Sequence, residues 1–199
     1  MIMGEDAKMK ATIHLARMYY PVHTLGPGER VGIWLAGCDR GCPECIAPEL
    51  QECSNGTPVT IDEVMGYIRK LCAHADGFTI SGGEPFFFPD ELKNLIDAIS
   101  GISDDIMIFT GYTIEELKEM RDENVADVLA HISVLIDGPY IGERNDGKGL
   151  RGSSNQNIHI FKHAERYPDL ETCERGMQLV IDDHRVMTIG IPWVNNNDK

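Results

Sequence analysis

Long apolar runs are missing from this chain. The most compact ones, Val31–Ala36 and Val134–Ile136, are strand-sized and far short of the roughly 20 residues a membrane span needs. Met1–Lys10 mixes acids with lysines around no apolar core, so no signal peptide is expected there. Positive charge is scarce too: 18 Lys and Arg face 32 Asp and Glu, a formal net charge of −14. A general nucleic-acid binder needs a basic footprint, and an anionic membrane surface would repel this chain. Without export the expected compartment is the reducing cytoplasm, where six cysteines do not make a disulfide framework. Internal repeats and low-complexity tracts are absent as well. With 199 residues, 42% hydrophobic and 25% charged, one globular domain is expected and disorder is not.

What is present alternates between strand-like and helix-like segments. Lys10–Arg17 reads as a strand running into Tyr19-Tyr20-Pro21-Val22, and Gly26-Pro27-Gly28 as a turn. Val31–Ala36 is a compact buried strand that ends at Gly37, ahead of a loop carrying three cysteines. Thr60-Ile61-Asp62-Glu63 fits a capping box, opening a helix with Ile61, Val64, Met65, Ile68, Leu71 and Cys72 at helical spacing. Gly77–Ile80 is a short strand stopping at Ser81-Gly82-Gly83, and Asp90 is read as the cap of a helix burying Leu92, Leu95, Ile96 and Ile99. Asp105–Phe109 is a third core strand, and Thr113-Ile114-Glu115-Glu116 a second capping box. His131–Ile136 is a fourth core strand, ending at Asp137-Gly138-Pro139. Strands separated by helices imply βαβ units and a mostly parallel sheet.

The C-terminal stretch differs. Lys162–Arg175 reads as a charged, partly helical connection. Met177–Ile181 and Val186–Ile191 flank a polar turn around Asp183-His184 and read as a β-hairpin, expected to cover a sheet edge. The whole is expected to be one domain over residues 1–199, with a core of about 10–160 and an extension of about 161–199.

Half of the cysteines crowd into one loop, where Cys38, Cys42 and Cys45 form the pattern C-x3-C-x2-C. Three thiolates on a short loop can bind three corners of an iron–sulfur cube, with Gly41 letting the backbone turn tightly. Such a cube keeps one iron open, where substrate chemistry can occur. Two other readings stand beside it: a structural zinc site, or a closed cluster that only carries electrons. Each needs a fourth ligand. No second C-x2-C or H-x3-H pair supplies one, although Cys53, Cys72 or Cys173 could. Ser81-Gly82-Gly83-Glu84-Pro85 follows a strand, at the edge where ligands bind in parallel α/β sheets. Its glycines can let the backbone approach a ligand, and Glu84 can accept a hydrogen bond from an ammonium group. The same turn could serve only to connect strand and helix.

In order along the chain stand Tyr19-Tyr20-Pro21-Val22, Gly26-Pro27-Gly28, the cysteine motif and Ser81-Gly82-Gly83-Glu84-Pro85. Thr110-Gly111-Tyr112, Asp137-Gly138-Pro139-Tyr140 and Arg151-Gly152-Ser153-Ser154-Asn155-Gln156 follow. Through these motifs, from about Tyr19 to about Asn157, the sequence resembles the radical S-adenosylmethionine (SAM) enzymes. Among them it is most similar to the anaerobic ribonucleotide reductase activating proteins.

The resemblance implies an α/β fold, a partial, open (β/α) barrel of radical SAM type with the β-hairpin as a C-terminal extension. It implies a [4Fe–4S] cluster on Cys38, Cys42 and Cys45, the catalytic as well as the metal-binding residues, with SAM chelating the open iron. Glu84, with the backbone of Gly82 and Gly83, would receive the methionine ammonium, and Ser81 is a further cofactor-binding candidate. The backbone around Glu44 and Ile46 would contact adenine. Ile46 departs from the family, many of whose members carry an aromatic residue there. Thr110 and Asp137 end strands nearby and are candidates for SAM contact or simple turn residues.

The activity implied is that of an oxidoreductase. A flavodoxin or ferredoxin would reduce the cluster, and SAM would be cleaved to methionine and a 5′-deoxyadenosyl radical. That radical would take a glycine hydrogen from a glycyl radical enzyme such as an anaerobic ribonucleotide reductase, with no nucleic acid and no membrane involved. Two alternatives remain: a radical SAM enzyme of the same fold acting on a peptide or small molecule, and a non-catalytic Fe–S or zinc-binding module. Tyr112 could contact the ligand or only lead into the Thr113 cap, and Arg151 could pair with a carboxylate or be solvated. Cys72 is expected in the core, and the seven histidines form no metal-binding constellation.

Overall fold

Four core strands run parallel in the computed structural model, which describes residues 10–181 and 186–193. They are β2 (Arg30–Leu35), β4 (Gly77–Gly82), β5 (Ile106–Phe109) and β6 (Val134–Asp137), adjacent in that order. β1 (Thr12–Val22) lies antiparallel beside β2, and β3 (Thr57–Thr60) antiparallel beside β1. β7 (Asn157–Ile160) adds antiparallel to β6. The resulting seven-stranded sheet has β3 and β7 as its two edges, so it stays open, as a partial barrel does.

Helices cover one face. α1 (Ile61–Leu71) and α3 (Ile114–Glu119) start at Thr60 and Thr113, each with the full reciprocal capping box that the sequence implied. α2 (Pro89–Ile99) buries Leu92, Leu95, Ile96 and Ile99 as expected, but its cap differs. Phe88 stands at the N-cap with no side-chain bond, Pro89 opens the helix, and Asp90 lies in the first turn. α4 (Glu123–His131) was not anticipated; Asp122 caps it, and it absorbs His131, which the sequence reading placed in β6. β3 and β7 were missed as well, being short, polar and paired at a distance in sequence. Lys162–Arg175 is helical only at the 3-10 turn Ala164–Arg166, and Glu174 makes an isolated antiparallel bridge to Lys148. Among the described residues no helix is long and apolar enough to cross a membrane.

Strand alternation sorts the core into two layers. Ile33, Phe78, Ile80, Ile106, Ile108 and Leu135 pack toward the helices. Met107, Val134 and Ile136 face the concave side, with Trp34 and Phe109 against them. Among the described residues the C-terminal strands β8 (Met177–Ile181) and β9 (Val186–Gly190) pair only with each other, so these strands cover neither edge of the main sheet. The hairpin packs instead on the concave layer through Ile189 and, beyond it, Ile191. Gln178 ties it to β1, donating to the Pro21 carbonyl at 2.8 Å and accepting from the His23 amide at 3.1 Å. The turn around Asp183-His184 lies outside the described residues.

Where the strands begin, the concave side is plugged by buried charge. Arg30 donates through Nε to Thr79 Oγ1 at 2.8 Å and through Nη2 to Asp105 Oδ1 at 3.0 Å. Arg166 Nη1 meets Asp105 Oδ2 at 2.7 Å, and the Tyr167 hydroxyl donates to Asp105 Oδ1. Two arginines and a phenol thus satisfy a carboxylate that burial alone would penalise.

Candidate active site

Parallel strands deliver their C-terminal ends to one rim, and ligand sites in such sheets lie there. β2 runs into the cysteine loop, β4 into Gly83-Glu84, β5 into Thr110-Gly111-Tyr112 and β6 into Gly138. Between these loops and the hairpin lies a cavity of about 360 Å³. Cys38, Cys42 and Cys45 all line it, with Ile46 beside them. Ser81, Gly82, Gly83, Glu84 and Thr110 line it from the neighbouring strand ends.

The root of the cysteine loop is bonded directly to the glycine turn. Gly83 N donates to Leu35 O and Glu84 N to Gly37 O, both at 2.8 Å. A Cβ on Gly82 would lie 2.2 Å from the Leu35 carbonyl oxygen, and one on Gly83 2.3 Å from that of Gly37. The sequence reading gave these glycines to a ligand's approach. The structure uses their missing side chains for the approach of two backbones, so the two motifs are parts of one rigid corner.

Glu84 is 3% exposed yet borders the cavity. Its Oε1 accepts from Phe86 N at 3.0 Å and Thr110 Oγ1 at 2.7 Å, and its Oε2 from Gly111 N at 2.7 Å. Burial pushes the carboxyl up to about 7, against the pull of these three donors. A cationic ligand group beside it would offset the desolvation that raises it.

The three loop thiols are half-buried. Cys38 Sγ accepts from Arg40 N at 3.4 Å, and burial pushes its thiol up. Among the described residues no three His, Cys, Asp or Glu side chains are gathered as a ready-made site for a metal ion. Three soft sulfur donors on one cavity wall are nonetheless a donor set suited to an iron–sulfur cluster, which spreads its ligands over several irons. Cys53 lies against Gly37, where a Cβ would meet its Sγ at 2.7 Å, and neither it nor Cys72 nor Cys173 lines the cavity.

Asp137 and Glu44 do not line the cavity, and neither do Tyr112 and Arg151. Asp137 is fully buried on the helix side, sharing the parity of Leu135. Its Oδ2 accepts from Ile114 N at 2.7 Å and lies 3.0 Å from His159 Nε2, while Oδ1 accepts from Asn157 Nδ2 at 3.0 Å. Its place is structural, fixing the start of α3 and the edge strand β7. Glu44 is exposed, its carboxylate packed where a Cβ on Gly142 would be 2.2 Å away. Arg151 pairs with Asp146 at 3.2 Å.

Sequence reasoning missed Arg17, Trp34, Tyr140 and the hairpin residues Met187 and Ile189, all of which line the cavity. Trp34 was recoverable, because alternation along β2 opposes it to Ile33 and Leu35. The hairpin was not, since only the fold reveals what its inner face meets.

A family described as a 4Fe-4S single cluster domain matches residues 24–159, which excludes the hairpin. Anaerobic ribonucleoside-triphosphate reductase-activating proteins of Haemophilus influenzae and Vibrio cholerae are 33% and 32% identical to the chain, over 156 and 153 residues. Each alignment covers 72% of this chain and 96% of the relative. A pyruvate formate-lyase-activating enzyme of Staphylococcus aureus is 28% identical over 163 residues, covering 73% of this chain and 59% of its own.

Proposed function

The chain belongs to the anaerobic ribonucleoside-triphosphate reductase-activating proteins, and on that footing we propose how its residues divide the work. It is a radical SAM activase with a [4Fe–4S] cluster, acting on an anaerobic ribonucleotide reductase. When bound, cluster and SAM supply the hard chemistry: one electron splits SAM into methionine and a 5′-deoxyadenosyl radical, which takes a hydrogen from a glycine of the reductase.

The chain's own residues bind, orient and shield. Cys38, Cys42 and Cys45 hold the cluster through thiolates, and Glu84 holds the methionine ammonium through a charge-assisted hydrogen bond. Thr110 and Gly111 fix the orientation of that carboxylate. The backbone from Cys45 to Ile46 meets adenine, and Trp34 and Phe109 form an apolar wall that limits water. The observation that carries this division is that the three thiols and Ser81–Glu84 line one cavity. The electron comes from a flavodoxin or ferredoxin, and the enzyme works in the cytoplasm, where reducing conditions keep its thiols free.

The experiment follows the hydrogen. Reduced protein, SAM and the reductase should give a glycine-centred doublet by electron paramagnetic resonance, on the reductase. Deuterium placed on that glycine should appear in 5′-deoxyadenosine. Deuterium arriving only from a small metabolite or short peptide, with no glycyl radical formed, would overturn the proposal.

A further inference from the structure

The segment from Cys38 to Cys45 is the least self-supported part of the site. Among the described residues its internal backbone-to-backbone bonding is one contact, Cys45 N to Cys42 O at 3.2 Å. Gly41 turns at φ +56° with no atom near its missing Cβ. Among the described residues the loop adds the Arg40 N contact to Cys38 Sγ at 3.4 Å, which does not tie Cys38 to Cys42.

Two of its side chains, however, reach across the rim to the start of α3. Asp39 Oδ2 accepts from the Tyr112 hydroxyl at 2.5 Å. The Arg40 guanidinium lies over the Tyr112 ring, 4.3 Å from its centroid, and Nη2 is 3.3 Å from Glu116 Oε1. Gly111 makes room for this crossing, since a Cβ there would stand 3.1 Å from Arg40 Cγ.

Both receiving residues are fixed independently of the loop. Tyr112 is buried; its amide donates to Thr110 Oγ1 at 3.1 Å and its carbonyl accepts from Gly138 N at 2.8 Å. Glu116 is the third residue of α3 and closes the capping box, accepting from Thr113 N at 2.7 Å through its other oxygen. A side chain anchored to two strand ends and another anchored to a helix start form a stiff bracket. We infer that Tyr112 and Glu116 are positioning residues for the cysteine loop, gripping Asp39 and Arg40 so that Cys38 and Cys42 stand in place before any iron arrives. The inference rests on the reading of those cysteines as cluster ligands, but the grip itself exists without metal and is measurable without it.

The test uses the full-length protein, metal-free and then reconstituted. In the metal-free form, exchange of the Arg40 and Cys45 amides, which donate to Cys38 Sγ and Cys42 O, should be slow in the wild type. It should quicken roughly tenfold or more in Tyr112→Phe, the factor a hydrogen bond to a charged group is worth. Asp39→Asn, which keeps an acceptor oxygen, should restore most of the protection that Asp39→Ala loses. Tyr112→Phe and Asp39→Ala together should do no more than either alone, because they break the same bond. After reconstitution, Tyr112→Phe should release iron to a chelator several-fold faster and broaden the resonance of the reduced cluster. Should Tyr112→Phe fail to fold, Asp39→Ala reads the same contact from the loop side. Exchange unchanged by these variants, or effects that simply add, would overturn the inference. A wild-type protein with a slow loop that takes up no iron would sink the cluster reading and leave the bracket standing.

Discussion

Thr110 Oγ1 donates to Glu84 Oε1 at 2.7 Å, so the strand end of β5 holds the carboxylate that the strand end of β4 delivers. With Gly111 N on the second oxygen, both oxygens are aimed before any ligand is present. A carboxylate offers roughly four lone-pair sites, and three are occupied from within the protein. What remains is room for about one further donor.

That arrangement predicts a pH signature. Burial raises the folded carboxyl to about 7 from its ordinary 4.5, so between those values the folded protein holds a proton the unfolded chain has released. Its contribution to stability is therefore full below pH 4.5 and lost as pH rises through about 7. Relative to Glu84→Gln, the metal-free wild type should lose on the order of 3 kcal/mol across that window, read by urea unfolding. A flat difference would mean that the three donors keep the carboxylate charged throughout. In the loaded protein, Glu84→Ala should weaken SAM binding by about 10- to 100-fold with the cluster intact; unchanged affinity would remove Glu84 from the ligand's contacts.

Anaerobic reconstitution should give about four irons per chain. Replacing Cys38, Cys42 or Cys45 by Ala should abolish iron uptake, whereas Cys72→Ala and Cys173→Ala should leave it unaltered. Iron and sulfide analysis decides the matter, and zinc bound one to one without sulfide would defeat the assignment.

Asp137 offers a sharper separation of structure from chemistry. Its fully buried carboxylate accepts from Ile114 N and from Asn157. Asp137→Ala should cost about 3 kcal/mol of stability by leaving buried donors unpaired. SAM affinity of the folded fraction should stay within about threefold of wild type, a shift of well under 1.4 kcal/mol. A large loss of affinity at unchanged stability would return Asp137 to the site.

Glycines of the two motifs should respond oppositely to a methyl group. Gly82→Ala drives a Cβ to 2.2 Å from the Leu35 carbonyl oxygen at φ +116°, and the corner cannot yield without parting β2 from β4. That variant should not accumulate as folded protein. Gly41→Ala meets only open space and bears the left-handed backbone cost, about 1–2 kcal/mol. Thermal melting and soluble yield compare the two directly, and equal tolerance would refute the account of the corner.

Signals that act within a few residues were legible in the sequence. The Thr60 and Thr113 capping boxes are such signals, because the bonds they form close over three residues. The cysteine and glycine motifs were legible for the same reason, and both do line the cavity. Features set by distant pairing were not. β3 contains Pro58 and almost no apolar alternation, and only its register against β1, with Ile13 opposite Val59, makes it a strand. Asp137 failed differently: alternation from Leu135 through Ile136 already assigned it to the helix side, but its motif drew attention to the rim. The Tyr112 bracket depends on Asp39 lying 73 residues away in sequence, a separation no local pattern spans.

The buried plug of Arg30, Asp105, Arg166 and Tyr167 has a consequence for traffic. With its lower end closed by ionic and phenolic side chains, the barrel is a cul-de-sac, and nothing passes through it from end to end. Entry and exit therefore avoid that end and fall to the rim or to the unclosed side of the sheet.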